Sequence, residues 1–262
     1  MILKKLIAEK SDDRSSLEQM WFLMDKVWDE LKCNNKKNDN NKFNKFYQHP
    51  VWLLNGLFIE QDETSIEHRK SISDWVVNTK LHNKFKNVID YGGGFGTLAR
   101  MIAQKDPAIQ IHIFEPHPTE LGQERTTNFR NIDFIDRLDN DYDCLVCTDV
   151  LEHIIDPIHT LYEMIMCVKP GGYLLIANNF YPVIKCHLPS TFHLRYSFNF
   201  FARKLGIMRI GKCEGSHAVV YKKINKVLTV NWKLLNIYEK ISKIAFPFLL
   251  YIHKIWNFYK RL

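Results

Sequence analysis

Asn87-Val-Ile-Asp-Tyr-Gly-Gly-Gly-Phe-Gly96 is the stretch whose reading decides the fold. Val88 and Ile89 close a buried strand, and Asp90 stands at its carboxyl edge. Gly92, Gly94 and Gly96 then make a turn whose backbone a ligand can approach closely. Thr97-Leu-Ala-Arg-Met-Ile-Ala103 follows with helical apolar spacing. Strand, glycine loop and helix in that order mark the ligand crevice of an open α/β sheet. The spacing narrows the ligand. A dinucleotide fingerprint beginning at Gly92 needs glycine at position 97, and Thr97 stands there.

The next segments repeat the alternation. Gln110-Ile-His-Ile-Phe-Glu-Pro116 reads as a second strand, and Glu115 follows the glycines at about the 20-residue interval of a ribose-binding acid. Two carboxylate oxygens can accept from both ribose hydroxyls. Asn131 to Asp136 and Tyr142 to Asp149 read as the third and fourth strands. A helix from Ile158 to Val168 leads through Lys169-Pro-Gly-Gly172 into a fifth strand, Tyr173 to Ala177. Lys169-Pro-Gly-Gly172 is expected to end the helix and turn the chain.

The acid and glycines, D-x-G-x-G-x-G from Asp90 to Gly96, resemble the first motif of class I S-adenosylmethionine (SAM) methyltransferases. Asp149-Val-Leu-Glu-His153 and Val168-Lys-Pro-Gly-Gly172 resemble later motifs of the small-molecule members of that class. The resemblance covers Asn87 to Asn179. It implies a doubly wound α/β fold with a seven-stranded, mostly parallel, Rossmann-like sheet. It also implies SAM as cofactor and S-adenosylhomocysteine as product. Asp90, Gly92, Gly94, Gly96, Glu115 and Asp149 are the implied cofactor contacts, with Asp136 at the place that meets the adenine amino group. The same segments have structural readings: Asp149 as a strand-end cap, Glu152-His153 as a helix start, Glu115 as a solvated strand-end acid.

At 262 residues and 46% hydrophobic, the chain can bury a large core. The sheet is expected over residues 87–222, with a helical lid over 1–86 and a helical extension over 223–262. In the lid, Ser16 is expected to cap a helix carrying Leu17, Met20, Trp21, Met24, Val27, Trp28 and Leu31 on one stripe. Asn34 to Lys45 is expected to be a mobile surface loop, and Glu63 to Asn78 a second helix. Tyr47, His49, His68 and Arg69 are the residues through which a lid could act; a plain packing cap is the alternative. The formal charge of +7 permits an anionic substrate, nucleic acid or an anionic membrane surface without selecting one. The six cysteines show no disulfide pattern. Cys144 and Cys147 fall three apart in a strand and so point to opposite faces, and no metal is expected. Without a signal peptide or long apolar span, the expected location is cytoplasmic.

The acceptor is read from the segment after the fifth strand. Asn178 to Pro182 and His187-Leu-Pro-Ser-Thr-Phe-His-Leu-Arg-Tyr196 place histidines, hydroxyls, an arginine and tyrosines in one loop. His193, His187 and His153 are the candidate bases, with His217 able to converge on them. Arg195, Tyr181, Tyr196 and Tyr47 are the candidate substrate contacts. Arg195 with His187 and His193 would cradle an anionic acceptor such as a phosphate oxygen. The expected reaction is methylation of an oxygen on a small phosphorylated or sugar-type metabolite. The His187 to Tyr196 loop and the Lys/Asn/Ile-rich composition also resemble bacterial capsule-cluster methyltransferases, which implies capsule biosynthesis and O-methyl phosphoramidate. An RNA methyltransferase is one alternative, but Thr148-Asp-Val-Leu151 replaces the Asn/Asp-Pro-Pro-aromatic motif of base-amine enzymes, and no RNA-binding array is visible. A non-catalytic SAM-binding regulatory subunit is the other. Val227 to Leu262 is expected to form a basic, aromatic helix interrupted at Pro247. It suits peripheral membrane contact, domain packing or a homodimer interface.

Overall fold

The computed structural model describes residues 2–9, 13–37, 39–78, 85–139, 141–224 and 229–259. Five helices precede the sheet: α1 (Ile2–Ala8), α2 (Ser16–Glu30), α3 (Asn40–Tyr47), α4 (Val51–Ile59) and α5 (Glu63–Asn78). Then come β1 (Asn87–Tyr91), α6 (Thr97–Lys105), β2 (Gln110–Phe114), α7 (Glu120–Glu124), β3 (Ile132–Ile135) and β4 (Tyr142–Thr148). A 3₁₀ turn, Leu151–His153, leads to α8 (Pro157–Cys167) and β5 (Val168–Ala177). After a second 3₁₀ turn, Pro189–Thr191, α9 (Leu194–Lys204), β6 (Ile207–Lys212), β7 (Val219–Lys223) and α10 (Trp232–Tyr259) complete the chain.

The strands form one seven-stranded sheet in the order β3-β2-β1-β4-β5-β7-β6, with β7 antiparallel to both neighbours. The doubly wound fold is therefore as the sequence implied. Central strands are apolar on both faces because helices cover both. Ile89, Leu145, Leu174 and Ile176 pack with α8 on one face, and Val88, Val146, Leu175 and Ile113 with α6 on the other. Cys147 and Cys144 divide between those two cores, as their spacing demands. Burial drives both thiols far above their usual range. The strand order reverses between β1 and β4, so a crevice opens at their carboxyl ends. Asp90 and Asp149 stand on its two sides.

Lys169-Pro-Gly-Gly172 departs from expectation by lying inside β5. Register slips there, Tyr142 pairing Val168 and Cys144 pairing Tyr173, so the loop bulges opposite Asp143. Asp143 accepts from the amides of Lys86 and Asn87 at 2.6 and 2.9 Å and pairs with Lys169, which pins the bulge to the start of β1. A Cβ on Gly172 would lie 2.9 Å from the Asp143 carbonyl oxygen.

The lid differs in two places from the reading of its sequence. Ser15, not Ser16, caps α2, in a capping box with Glu18. The expected loop from Asn34 to Lys45 is helical in its second half. Asp39 caps α3, and its Phe43 and Phe46 pack on Trp28 with ring centroids 5.1 and 5.0 Å away. Those two aromatics outweigh the polar composition. They join Met20, Leu23, Val27 and Val51 in a small separate core, closed by Cys186 and Leu188 from the loop after β5.

Pro247 does not interrupt α10. Leu235 on its inner face is buried in the core, and Tyr238, Ser242 and Phe246 also face the domain. Its outer face exposes Leu234, Ile237, Ile241, Ile244, Phe248, Tyr251 and Ile255, spaced alternately three and four apart. Val227 and the basic pair Lys260-Arg261 lie outside the described residues. Among the described residues no helix is long and apolar enough to cross a membrane.

Two features dock the lid on the sheet. Gly56 in α4 lies so close to the Phe95 ring that a Cβ there would be 2.6 Å from it. Glu60, just beyond α4, pairs with Arg100 and Arg125 and accepts from Thr97 at 3.2 Å. Glu60→Gln would leave two half-buried guanidiniums without their counter-charge. It is expected to destabilise by about 2 kcal/mol. Thermal unfolding should show this as a midpoint lowered by roughly 5 °C.

Candidate active site

The glycine loop takes its shape from three left-handed residues, Gly92, Gly94 and Gly96, with φ of 73°, 52° and 67°. At Gly92 a Cβ would strike Val150 at 2.4 Å, so glycine lets the segment after β4 close on the loop. Above Gly94 nothing lies within 4 Å of the Cβ position. Gly93, which the motif reading passed over, has its own constraint: a Cβ there would meet Asp90 Oδ2 at 2.7 Å. The loop is wrapped over that carboxylate.

A cavity of ≈ 720 Å³ spans the crevice between this loop and the lid. Asp90, Gly92, Gly94, Glu115, Asp149, His153, His187 and Tyr47 line it, as does Glu152. The lid contributes Trp21, Phe43, Tyr47, Trp52, Phe58 and Arg69. Tyr47 stacks parallel to His117 at 6.2 Å and meets His153 edge-on at 6.3 Å, bridging the two ends of the cavity. His49 accepts from the Val51 amide at 3.1 Å instead, at the start of α4. His68 stacks on His217 at 4.3 Å and bonds Ser216 at 2.9 Å.

Several expected site residues lie elsewhere. His193 is buried against α10, its Nδ1 2.9 Å from Ser242 Oγ and its Nε2 facing Glu239. Arg195 donates to the Phe180 carbonyl at 2.9 Å and lies over the Tyr181 ring at 3.6 Å. Tyr196 packs against Phe246 and His253 of α10. Among the expected substrate contacts, Arg195, Tyr181 and Tyr196 are thus absent from the cavity wall, as is His193 among the expected bases. The His187–Tyr196 segment divides because α10 covers its second half. Asp136 also leaves the crevice: it lines a shallow depression with Tyr91, Phe114 and Tyr162 beside α8. Gly96 sits behind the loop, where its Cβ would meet Ile113 and Thr126 at 2.8 and 2.9 Å.

The electrostatics of the cavity are acidic. Burial raises the Asp90 carboxyl to about 7, although the Arg69 guanidinium opposes this. Its Oδ2 is buried without a hydrogen-bond partner. Burial, reinforced by Asp149, raises Glu152 to about 8. Glu152 Oε1 accepts from the Asn179 amide at 2.8 Å, while Oε2 is buried and unpartnered. The motif reading treated Glu152 only as a helix start, because a single buried acid leaves no periodic signal. Burial and the neighbouring His187 lower His153 to about 3. Burial also lowers His187. Glu115 is fixed by the amides of Gly94 and His117, at 3.1 and 3.0 Å. Asp149 has a left-handed φ of 53°, a strained conformation for aspartate. Its hydrogen bond from His217, at 3.3 Å, raises the histidine's pKa.

Residues 66–199, just over half of the chain, match the methyltransferase domain family. The chain belongs to the class I SAM-dependent methyltransferases. A ubiquinone/menaquinone biosynthesis C-methyltransferase, UbiE, of Francisella tularensis is 30% identical over 145 residues, covering 50% of this chain and 56% of the relative. A ubiquinone biosynthesis O-methyltransferase of Erwinia tasmaniensis is 27% identical over 114 residues, 40% of this chain and 47% of that one. The chain therefore spans about half the length of the curated relatives it matches. The structure of an O-methyltransferase family protein from Burkholderia thailandensis shares the fold, with a TM-score of 0.52 and 15% identity, covering 87% of this chain and 83% of that one.

SAM is the methyl donor of this family, and the residues present fit it. Its amino and sulfonium groups are cationic, and the crevice offers the unpartnered Asp90 oxygen beside Gly93 and open space at Gly94. The Asp90 carboxyl must ionise to pair with a cation. SAM affinity should therefore tighten as pH rises towards about 7 and level off above it. Asp90→Asn is expected to weaken binding roughly thirtyfold, about 2 kcal/mol, and to flatten that dependence. Calorimetric titration across this range reads both.

Proposed function

We propose that this methyltransferase transfers its methyl group to a hydroxyl oxygen of a small, uncharged, ring-containing acceptor. The acceptor would lie between the aromatic lid and the Asp149–His153 segment. The arrangement of Glu152, His153 and His187 carries this reading. His153 Nδ1 lies 3.1 Å from the Cys186 carbonyl oxygen, and His187 Nδ1 lies 2.7 Å from that of Tyr181. A carbonyl only accepts, so each Nδ1 carries its proton and each Nε2 keeps its lone pair. Two imidazoles with free Nε2 lone pairs and the Glu152 carboxyl group thus share one part of the cavity wall. Such a cluster activates a hydroxyl by drawing off its proton as the carbon–oxygen bond forms.

Bound SAM supplies an electrophilic methyl group. The chain's own part is to hold it, through Asp90, the Gly92–Gly96 loop, Glu115 and Asp149. It must also keep acceptor and methyl aligned and exclude water beneath α2–α4, the lid formed by residues before β1. Relatives named for carbon and for oxygen methylation both match this chain; the hydroxyl-activating cluster favours oxygen.

A phosphorylated acceptor drew its support from the positive charge and from a cradle of Arg195 with His187 and His193. Of those three side chains only His187 lines the cavity. Among the described residues, Arg69 is the one lysine or arginine lining it, and Arg69 faces Asp90 and Asp149. A phosphate would meet five carboxyl groups, Asp90, Glu115, Asp149, Glu152 and Asp156, against that single guanidinium. The aromatic wall suits a planar or sugar-ring acceptor better. Release of S-adenosylhomocysteine with phenols and sugars, compared with their phosphates, tests this directly. His187→Gln is expected to lower kcat about 100-fold or more with SAM affinity kept. Arg195→Ala should leave the acceptor KM within about threefold, whereas a large rise would restore the anionic cradle.

The outer face of α10 is read as a contact for an anionic membrane surface. Exposed Lys233, Lys240 and Lys254 flank its apolar stripe on one edge. In a self-paired helix dimer those lysines would find no acidic partner along the seam. Cosedimentation with phosphatidylglycerol vesicles, but not with phosphatidylcholine vesicles, is the expected result. Ile244→Glu with Phe248→Glu should abolish it, and a concentration-dependent dimer without vesicle binding would overturn it.

A further inference from the structure

Two clusters near the crevice bring together three groups able to bind a metal ion: His68, Asp149 and His217; and Glu152, His153 and His187. Geometry separates them. In the first, the donors already satisfy one another. His217 bonds Asp149 at 3.3 Å, and the two imidazoles stack nearly parallel, 11° apart with centroids 4.3 Å away. An imidazole donates its lone pair in the ring plane, so stacked rings cannot aim both lone pairs at one ion.

The second cluster has the opposite character. The His153 and His187 rings are 4.8 Å apart and inclined at 76°, so their in-plane lone pairs can converge. Both Nδ1 positions are tied to backbone carbonyls, which fixes Nε2 as the free donor on each ring. That is the outer-shell arrangement that orients metal-ligating histidines. Glu152 is fully buried, with Oε1 held by the Asn179 amide and Oε2 unpartnered. The Leu188 amide donates to the Glu152 carbonyl at 2.9 Å and so ties the His187 loop to the turn carrying Glu152 and His153. The candidate ligand atoms all lie within 4.8 Å of one another.

We infer that Glu152, His153 and His187 form a binding site for one divalent transition-metal ion, of the zinc or cobalt type, facing the cavity. Three lone-pair donors enclosed together repel unless a cation or a proton stands between them, and an imidazole–carboxylate set prefers a borderline metal over magnesium or calcium. Three protein ligands leave a coordination position open, as at catalytic zinc sites. The sequence carried no expectation of a metal because the ligands come from two loops and form no spaced motif. The role of the ion rests on the proposed function: a hydroxyl oxygen taking the open position would release its proton to water more readily.

Metal binding is measured apart from turnover. After chelation, the full-length protein is titrated with Co²⁺, followed by its visible d–d absorption and by equilibrium dialysis. One ion per chain is expected, with tetrahedral or five-coordinate bands. Glu152→Gln and His187→Asn should each weaken binding at least about tenfold, and His217→Asn should leave it unchanged. Circular dichroism and SAM affinity verify that each variant is folded. Absence of a Co²⁺ band in the folded native protein, or binding indifferent to Glu152→Gln, overturns the metal site. If His187→Gln still depresses kcat in that case, the cluster acts on protons alone and the proposed function survives. If Co²⁺ binds as expected but no hydroxyl acceptor turns over, the metal site stands and the acceptor reading falls.

Discussion

Asp90 is a carboxylate taken out of water at the end of β1 and left with one oxygen unpartnered. Much of the surrounding chain follows from that arrangement. Gly93 is bare so that the loop backbone can lie against the acid, Gly92 so that Val150 can approach from β4, and Gly94 so that space remains above. Arg69 faces the acid from the lid but does not bond its free oxygen. An uncompensated buried charge is costly. Burial accordingly raises the Asp90 carboxyl to about 7, and a cationic ligand such as SAM would complete its ionised form.

The lid of N-terminal helices turns the crevice at the strand ends into a cavity. Its own core of Met20, Val27, Trp28, Phe43 and Phe46 gives it cohesion. It is attached through Cys186 and Leu188 in that core, through Ile72 and Val76 of α5 in the sheet's own core, and through Gly56 on Phe95, Glu60 between two arginines, and Lys185 with Asp29. The Lys185 amide also donates to Asp25 at 2.7 Å. Because Phe95 and Val150 each touch either the lid or the glycine loop, docking the lid and shaping the cofactor turn are one packing problem. A change at Gly56 would reach the methyl donor through Phe95 without touching it.

What was legible in the sequence was local or periodic. The buried parallel strands read as apolar runs, the glycine turn read from its spacing, and Glu63 to Asn78 read as the helix it is. What failed depended on contacts between distant segments. Nothing near His193, Arg195 or Tyr196 reveals that Ser242, Glu239, Phe246 and His253 will cover them. Only His187, before that covered stretch, reaches the cavity. Phe43 and Phe46 were hidden among asparagines and lysines, since composition weighs residues equally while packing weighs the large ones. Asp136 failed for another reason. One residue past an edge strand, a small change of turn sends a side chain to the other side of the sheet.

The raised acids bind folding and ligand together. Asp90 titrates near 7 and Glu152 near 8 in the fold, against ordinary carboxylate values when unfolded. Between those limits the folded chain holds more protons than the unfolded one, so its stability falls as pH rises from about 4 towards 8. A cation that pairs with the ionised acids reverses the sign of this contribution. The same groups that weaken the empty protein near neutrality are therefore the ones through which a bound cation stabilises it most. Asp149 behaves differently because His217 supplies its counter-charge from within the chain. The crevice thus holds Asp149 and Glu115, satisfied by the protein, beside Asp90 and Glu152, each of which keeps an unpartnered oxygen. That difference in partners, rather than any difference in residue type, separates acids that shape the site from acids that wait for a ligand.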